Sequence, residues 1–201
     1  MQKRTRLKSV LKVLFVVYIL VVIKVIIFKY PIEQLRAIAA TWQKSVILEG
    51  LGTANFVPFR TIKMYIVYAH KLNSVENLAG NILVFVPLGF LLPLVMDGMQ
   101  SFAAVFVNAF TFVLGIEVFQ LFSAFGAFDV DDILLNCLGA AIGYGCYRAA
   151  CAVYCKKYGG AVDRVMPEAA ESGKAGILAD LFYREKGVYG KDEIICSEEN
   201  N

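Results

Sequence analysis

Residues 10–28 form an apolar run broken only by Lys24, and three further runs of similar length follow at about 77–95, 102–122 and 133–153. Each approaches the roughly 20 residues that an α-helix needs to cross the hydrocarbon core of a bilayer. A soluble domain could bury a core, but it could not hide several such segments. The composition agrees, with 58% hydrophobic residues, 18% charged residues and a mean hydropathy of +0.61. The expected fold is all-α: a polytopic membrane bundle of about four transmembrane helices.

The first run follows a basic tail of Lys3, Arg4, Arg6, Lys8 and Lys12. It is longer than a signal-peptide core and meets no small-residue cleavage site before Lys29 and Tyr30, so a retained helix is expected. Lys24, near its outer end, reads as an anchor that snorkels toward the headgroups. Four spans return the chain to its starting side. The basic tail, together with Arg148, Lys156 and Lys157 after the last span, assigns both termini to the cytoplasm, and the cation-free turn at 123–129 to the outside. The first connection, 30–76, must then be external despite Arg36, Arg60, Lys63 and Lys71. Within it Leu35, Ile38, Ala39, Trp42 and Val46 recur at helical spacing, and Ile62, Tyr65, Ile66 and Ala69 repeat the pattern. Amphipathic interfacial helices are expected there. Residues 1–155 form the transmembrane domain, and 156–201 a loosely ordered cytoplasmic tail.

Cys137, Cys146, Cys151, Cys155 and Cys196 have neither zinc-site nor disulfide-framework spacing and are expected as free thiols. His70 is the only histidine and reads as an interfacial polar residue. No metal or cofactor is expected. No basic patch with interleaved aromatics occurs, so nucleic acid is not an expected partner.

The polar residues of the spans fall at one depth. Asn77 and Asn81, at i and i+4, share a face of the second span near its outer end. Glu117 and Gln120 lie in the outer half of the third. Asp129, Asp131 and Asp132 precede the fourth, with Asn136 one turn below Asp132. Asp132, Asn136, Gly139 and Gly143 form one stripe, polar above and small below; Gly139 and Gly143 make a G-x-x-x-G that lets another helix approach closely. The stripe therefore faces protein. Asp131, about 100° round the helix from Asp132, is expected to face solvent, while Asp129 is a natural N-cap. Each residue also has a plain structural role available: capping for the aspartates, interhelical hydrogen bonding for the asparagines. Glu117 resists such a reading more than the others, because a carboxyl group inside the membrane costs a few kcal/mol unless paired, protonated or hydrated. Pro87 and Pro93 read as packing kinks in the second span.

The motifs "NFVPF" (55–59), "NLAGNILVFVPLGFLLP" (77–93), "EVFQLF" (117–122) and "FDVDDILLNCLGAAIGY" (128–144) occur together in an order and spacing that resembles the VanZ-like family. Its members are bacterial membrane proteins named for a glycopeptide-resistance component. The resemblance covers about residues 10 to 150 and implies a role in tolerance to teicoplanin-type glycopeptides. The family's usual Gly-Arg pair before the acidic motif is replaced by "AFGAFD", with Gly126 near the arginine's place. A cation beside the acids would then have to come from Arg60.

Three functions compete. In the first, an outward-facing polar pocket binds a polar or lipid-linked ligand such as a headgroup, a cell-wall precursor or a lipoglycopeptide. Its ligand-binding candidates are Asn55, Arg60, Asn77, Asn81, Glu117, Gln120, Asp129, Asp132 and Asn136, with Gly139 and Gly143 for helix packing. No nucleophile and histidine base accompany them, so no catalytic residue is nominated. In the second, clustered carboxylates hold Mg²⁺ for an enzyme acting on a polyprenyl or lipid phosphate. The third, a proton-coupled transporter, rests on Glu117 and would require an oligomer. Membrane lipids are the expected partners, and self-association is left open.

Overall fold

The computed structural model describes residues 2–27, 31–69 and 74–169. These form seven helices: α1 (Gln2–Ile27), α2 (Ile32–Ala40), α3 (Lys44–Thr53), α4 (Arg60–Val67), α5 (Ser74–Val95), α6 (Phe102–Ser123) and α7 (Val130–Ala169). His70, Cys196 and the chain beyond Ala169 lie outside the described residues. Segments of α1 (Lys8–Ile26), α5 and α6 are long and apolar enough to cross a membrane by length and composition. The fourth expected span, 133–153, lies within α7, which is not among them and which runs on to Ala169. The tail expected from 156 onward thus begins as a continuation of this helix.

The first connection folds as three short helices rather than two. Thr41 ends α2, its hydroxyl donating to the Ala37 carbonyl at 2.9 Å, and Gln43 is extended (φ −137°, ψ 165°), so Val46 starts a separate element. Trp42 donates its indole N–H to the Phe122 carbonyl at 2.9 Å and pins the end of α2 to the end of α6. An indole at this level, apolar in body and polar at one edge, suits a membrane interface.

The centre of the bundle is the seam between α5 and α7. A Cβ placed on Gly139 would lie 2.1 Å from the Ile82 carbonyl oxygen, and one on Gly143 1.9 Å from that of Val86. Gly89 answers from α5, 1.9 Å from the Ala140 oxygen. The matched advance from Ile82 to Val86 and from Gly139 to Gly143 makes the two helices parallel. Lipid tails are as apolar as leucine, so such a seam is held by close packing rather than by expulsion of water.

α6 lies antiparallel to both. Its far end meets the start of α7, where Glu117 accepts from the Asp129 N–H, and its beginning sets Phe102 5.6 Å from the Tyr144 ring. α1 also runs against α5 and α7: Phe15 packs near Leu92 and Tyr147, the Tyr18 hydroxyl donates to the Val84 carbonyl at 2.8 Å, and Ile26 reaches Gln120. Val10, Val13, Leu14, Val16 and Leu20 of α1 are exposed on the outside of the bundle, whereas Val22 is buried in it. Phe85, Ala109, Val113 and Ala140 are fully enclosed and fill the middle. Cys137 and Cys151 are buried free thiols, and Cys146 is an exposed one.

Replacing Gly143 with leucine is expected to lower the unfolding temperature in detergent, since overpacking of this kind costs about 1–3 kcal/mol or more. Gly145→Ala, where an added Cβ meets nothing within 4 Å, should be neutral or stabilising on the same measurement. Equal effects would mean that the seam is not in backbone contact.

Candidate functional site

The polar residues gather at one end of the bundle, where the chain between α3 and α4 folds over the start of α7. Asn55 and Asp129 form an isolated parallel bridge: the Asn55 N–H donates to the Phe128 carbonyl at 2.8 Å, and the Val130 N–H to that of Asn55 at 3.0 Å. Side chains complete the join. Asn55 Nδ2 donates to Asp129 Oδ1 (2.8 Å) and to Thr61 Oγ1 (3.1 Å), and the Thr61 hydroxyl donates to Asp129 Oδ2 (2.6 Å). Asp129 Oδ1 also accepts the Asp131 N–H at 2.8 Å and so caps α7.

Asp131 corrects the sequence reading. Expected to face solvent, it is fully buried, at 0% exposure, and its carboxylate caps a different helix. Oδ1 accepts the Phe59 N–H at 2.5 Å; Oδ2 accepts those of Thr61 at 2.7 Å and Ile62 at 3.1 Å. These N–H groups open α4 and have no partner within their own helix. Phe59 turns its N–H inward by adopting a left-handed conformation (φ 65°), unusual for a bulky residue. Such strain costs about 1–3 kcal/mol, and charge-assisted bonds of about 1.5–3 kcal/mol each outweigh it. The negative carboxylate is also favourable at the positive end of the α4 dipole.

Below Asp129, the buried carboxylate of Glu117 (1% exposed) accepts the Asp129 N–H at 2.9 Å. Glu117 therefore belongs to the same latch. Gln120 lies on another side, donating to the Ile26 carbonyl at 3.3 Å. A Cβ on Gly126 would fall 2.7 Å from the Gln120 side chain, so a larger residue at that position would have to displace Gln120. Arg60 is exposed on the first turn of α4, above the carboxylate of Asp131.

A second group faces the seam of α4, α5 and α7. Asn81 Nδ2 donates to Asp132 Oδ1 at 2.5 Å. Tyr65 of α4 reaches the same place: burial first, then the Asp132 and Asp129 carboxylates, raise its phenol above the usual value, while a hydrogen bond from Asn77 works in the other direction. Tyr65 thus stays a neutral hydroxyl over the acids at physiological pH. Asn77 itself is exposed. Asn136, one turn below Asp132, is 3% exposed, and its Oδ1 is buried with no hydrogen-bond partner.

Thr61, Tyr65 and Asp131 are the residues that sequence reasoning left out. The first two sit on an interfacial helix chosen for its apolar face, and Asp131 was separated from Asp132 by helical phase alone. The arrangement disfavours a metal centre built from the acids. Both oxygens of Asp129 and of Asp131 are already occupied by the chain's own donors. Among the described residues no three His, Cys, Asp or Glu side chains are grouped to hold an ion.

Asp131→Ala should release the start of α4. Amide hydrogen exchange at Phe59, Thr61 and Ile62 is expected to accelerate, and stability to fall by about 3 kcal/mol or more given two or three lost charge-assisted bonds. Asp131→Asn should lose less, because its amide oxygen still accepts. Unchanged exchange in the alanine variant would exclude the latch.

Comparison with known proteins adds one match. No curated protein and no solved structure matches the chain. The VanZ/LLP1 family matches over residues 15–152, a span that includes the latch, the Asn81–Asp132 pair, Asn136 and the glycine seam. This membrane protein belongs to the VanZ/LLP1 family.

Proposed function

We propose that the protein is a non-enzymatic, multi-pass component of the bacterial cell membrane that binds the polar head of a lipid-linked envelope molecule at its acid-rich end. In this reading α1, α5, α6 and the first half of α7 cross the bilayer, both termini are cytoplasmic, and the acid-rich end faces outward. The alternating helix directions support it, because they bring the start of α1 and the later part of α7 to the end opposite the acids. The cations of the N-terminal tail and Arg148 support the orientation.

The observation that carries the binding role is the unsatisfied Oδ1 of Asn136 beneath the Asn81–Asp132 pair. Buried polar atoms are nearly always partnered, and leaving one unpaired costs about 1–3 kcal/mol. A ligand group that donates to it accounts for the cost. The remaining acids have structural employment, so the binding set narrows to Asn81, Asp132, Asn136 and the neighbouring Tyr65 and Asn77. Asn55, Glu117 and Asp129 support this set through the latch. A lipid-linked wall precursor or a lipoglycopeptide would present suitable polar groups at the membrane surface, and tolerance to teicoplanin-type glycopeptides follows from the VanZ resemblance.

In a strain whose teicoplanin tolerance depends on this gene, Asp132→Asn and Asn136→Leu are expected to lower tolerance most of the way to that of the deletion, with Gly145→Ala as the unaffected control. Full tolerance with variants present in the membrane at normal levels would overturn the binding role. In a chain freed of its native cysteines, Phe56→Cys should react with a membrane-impermeant maleimide in intact cells, and Ser9→Cys only after permeabilisation. The reverse pattern would invert the topology.

A further inference from the structure

We propose that the group held at the seam of α4, α5 and α7 is a primary ammonium, on a lipid headgroup or on a small free amine. This rests on the seam being a ligand site, as argued above, and adds the chemical class of the ligand. Asn136 lies on the same face of α7 as Gly139 and Gly143, whose Cα atoms abut the α5 backbone at Ile82 and Val86. Its side chain therefore enters the seam between the two helices, one turn below Asp132. With Oδ1 buried and unpartnered, the site asks for a hydrogen-bond donor.

Charge selects among donors. Glu117, Asp129, Asp131 and Asp132 lie together at this end. The donors that reach Asp129, Asp131 and Asp132 in the contacts above are amides, a hydroxyl and backbone N–H groups, all neutral. The cations of α4, Arg60 and Lys63, are exposed. Carboxylates near the edge of a low-dielectric bundle attract a positive partner. A primary ammonium supplies three N–H donors and one positive charge in a compact group. A trimethylated ammonium has the charge without the donors and so leaves Asn136 unsatisfied. The Tyr65 hydroxyl, beside Asp132 and Asn77, closes the site from α4.

The test uses the full-length chain in lipid nanodiscs, with thermal unfolding followed by the fluorescence of Trp42, the single tryptophan. Three conditions are compared: phosphatidylcholine alone, phosphatidylcholine with phosphatidylethanolamine, and phosphatidylcholine with free ethanolamine. Binding is expected to raise the unfolding temperature by about 5–10 °C at roughly a hundredfold excess over Kd. A rise with the lipid only identifies a headgroup as the source; a rise with the free amine as well identifies the ammonium itself as sufficient. Asn136→Leu should unfold in phosphatidylcholine at or above the wild-type temperature and show no ethanolamine-dependent rise. Asn136→Asp, which keeps an acceptor, should retain the rise. The proposal is overturned if wild type unfolds at one temperature in all three conditions. It also fails if Asn136→Leu keeps the rise, or if sodium chloride in phosphatidylcholine reproduces it. Antibiotic tolerance separates the two readings. Tolerance lost in Asn136→Leu with no ammonium effect in wild type removes the ammonium and leaves the binding role. An ammonium effect abolished by Asn136→Leu with tolerance intact leaves the ammonium site and removes its part in tolerance.

Discussion

Backbone contact between α5 and α7 sets the position of everything else. In hydrocarbon, apolar side chains gain little by leaving lipid for protein, so helices associate where their surfaces fit closely. Gly89, Gly139 and Gly143 allow that fit by removing every atom beyond Cα on both sides of the seam. Because the two helices are parallel, their N-terminal ends lie at the same level. The Asn81–Asp132 hydrogen bond is a direct result of this alignment. α6 and α1 then pack antiparallel around the pair and enclose Phe85, Ala109 and Val113.

The acids at the head of α7 divide by partner rather than by depth. Asp129 and Asp131 satisfy donors of the segment between α3 and α4, so a surface connection becomes a fixed cover over the bundle. Their charges are absorbed by a helix start, an amide and a hydroxyl, without a cation. This explains how the chain tolerates Gly126 where its relatives usually carry arginine: the latch carboxylates have other donors, and the space at Gly126 is filled by Gln120.

The spans and the glycine stripe were legible in the sequence because a membrane imposes length and apolarity directly, and because i, i+4 spacing places Asp132 above Asn136 whatever the rest of the chain does. The break at Gln43 was not legible, since the apolar pattern of Leu35, Ile38, Trp42 and Val46 continues through it. Nor was the length of α7, whose charged residues after Tyr147 ended the apolar run without ending the helix. The burial of Asp131 was hidden for a more general reason. A helical wheel assigns a side chain to solvent when no other span can lie on that side, but the partners here are backbone N–H groups about 70 positions earlier, supplied by a short helix that crosses no membrane.

That distinction bears on how polar residues in a small membrane bundle should be weighed. Glu117 was the most persuasive functional candidate by cost alone, since an unpaired carboxyl group in the membrane is expensive. Once Glu117 accepts the Asp129 N–H, part of that cost is offset within the chain, and its presence is accounted for without a ligand. Asn136 looked the blander residue, one more amide available for interhelical bonding. Its carbonyl nevertheless remains without a donor while enclosed on the face that packs against α5. Leucine there would avoid the cost altogether. An amide whose expense the fold does not recover is therefore a stronger pointer to an external partner than a carboxylate whose expense it does, and the acceptor character of Asn136, beside Asp132, sets what that partner must supply.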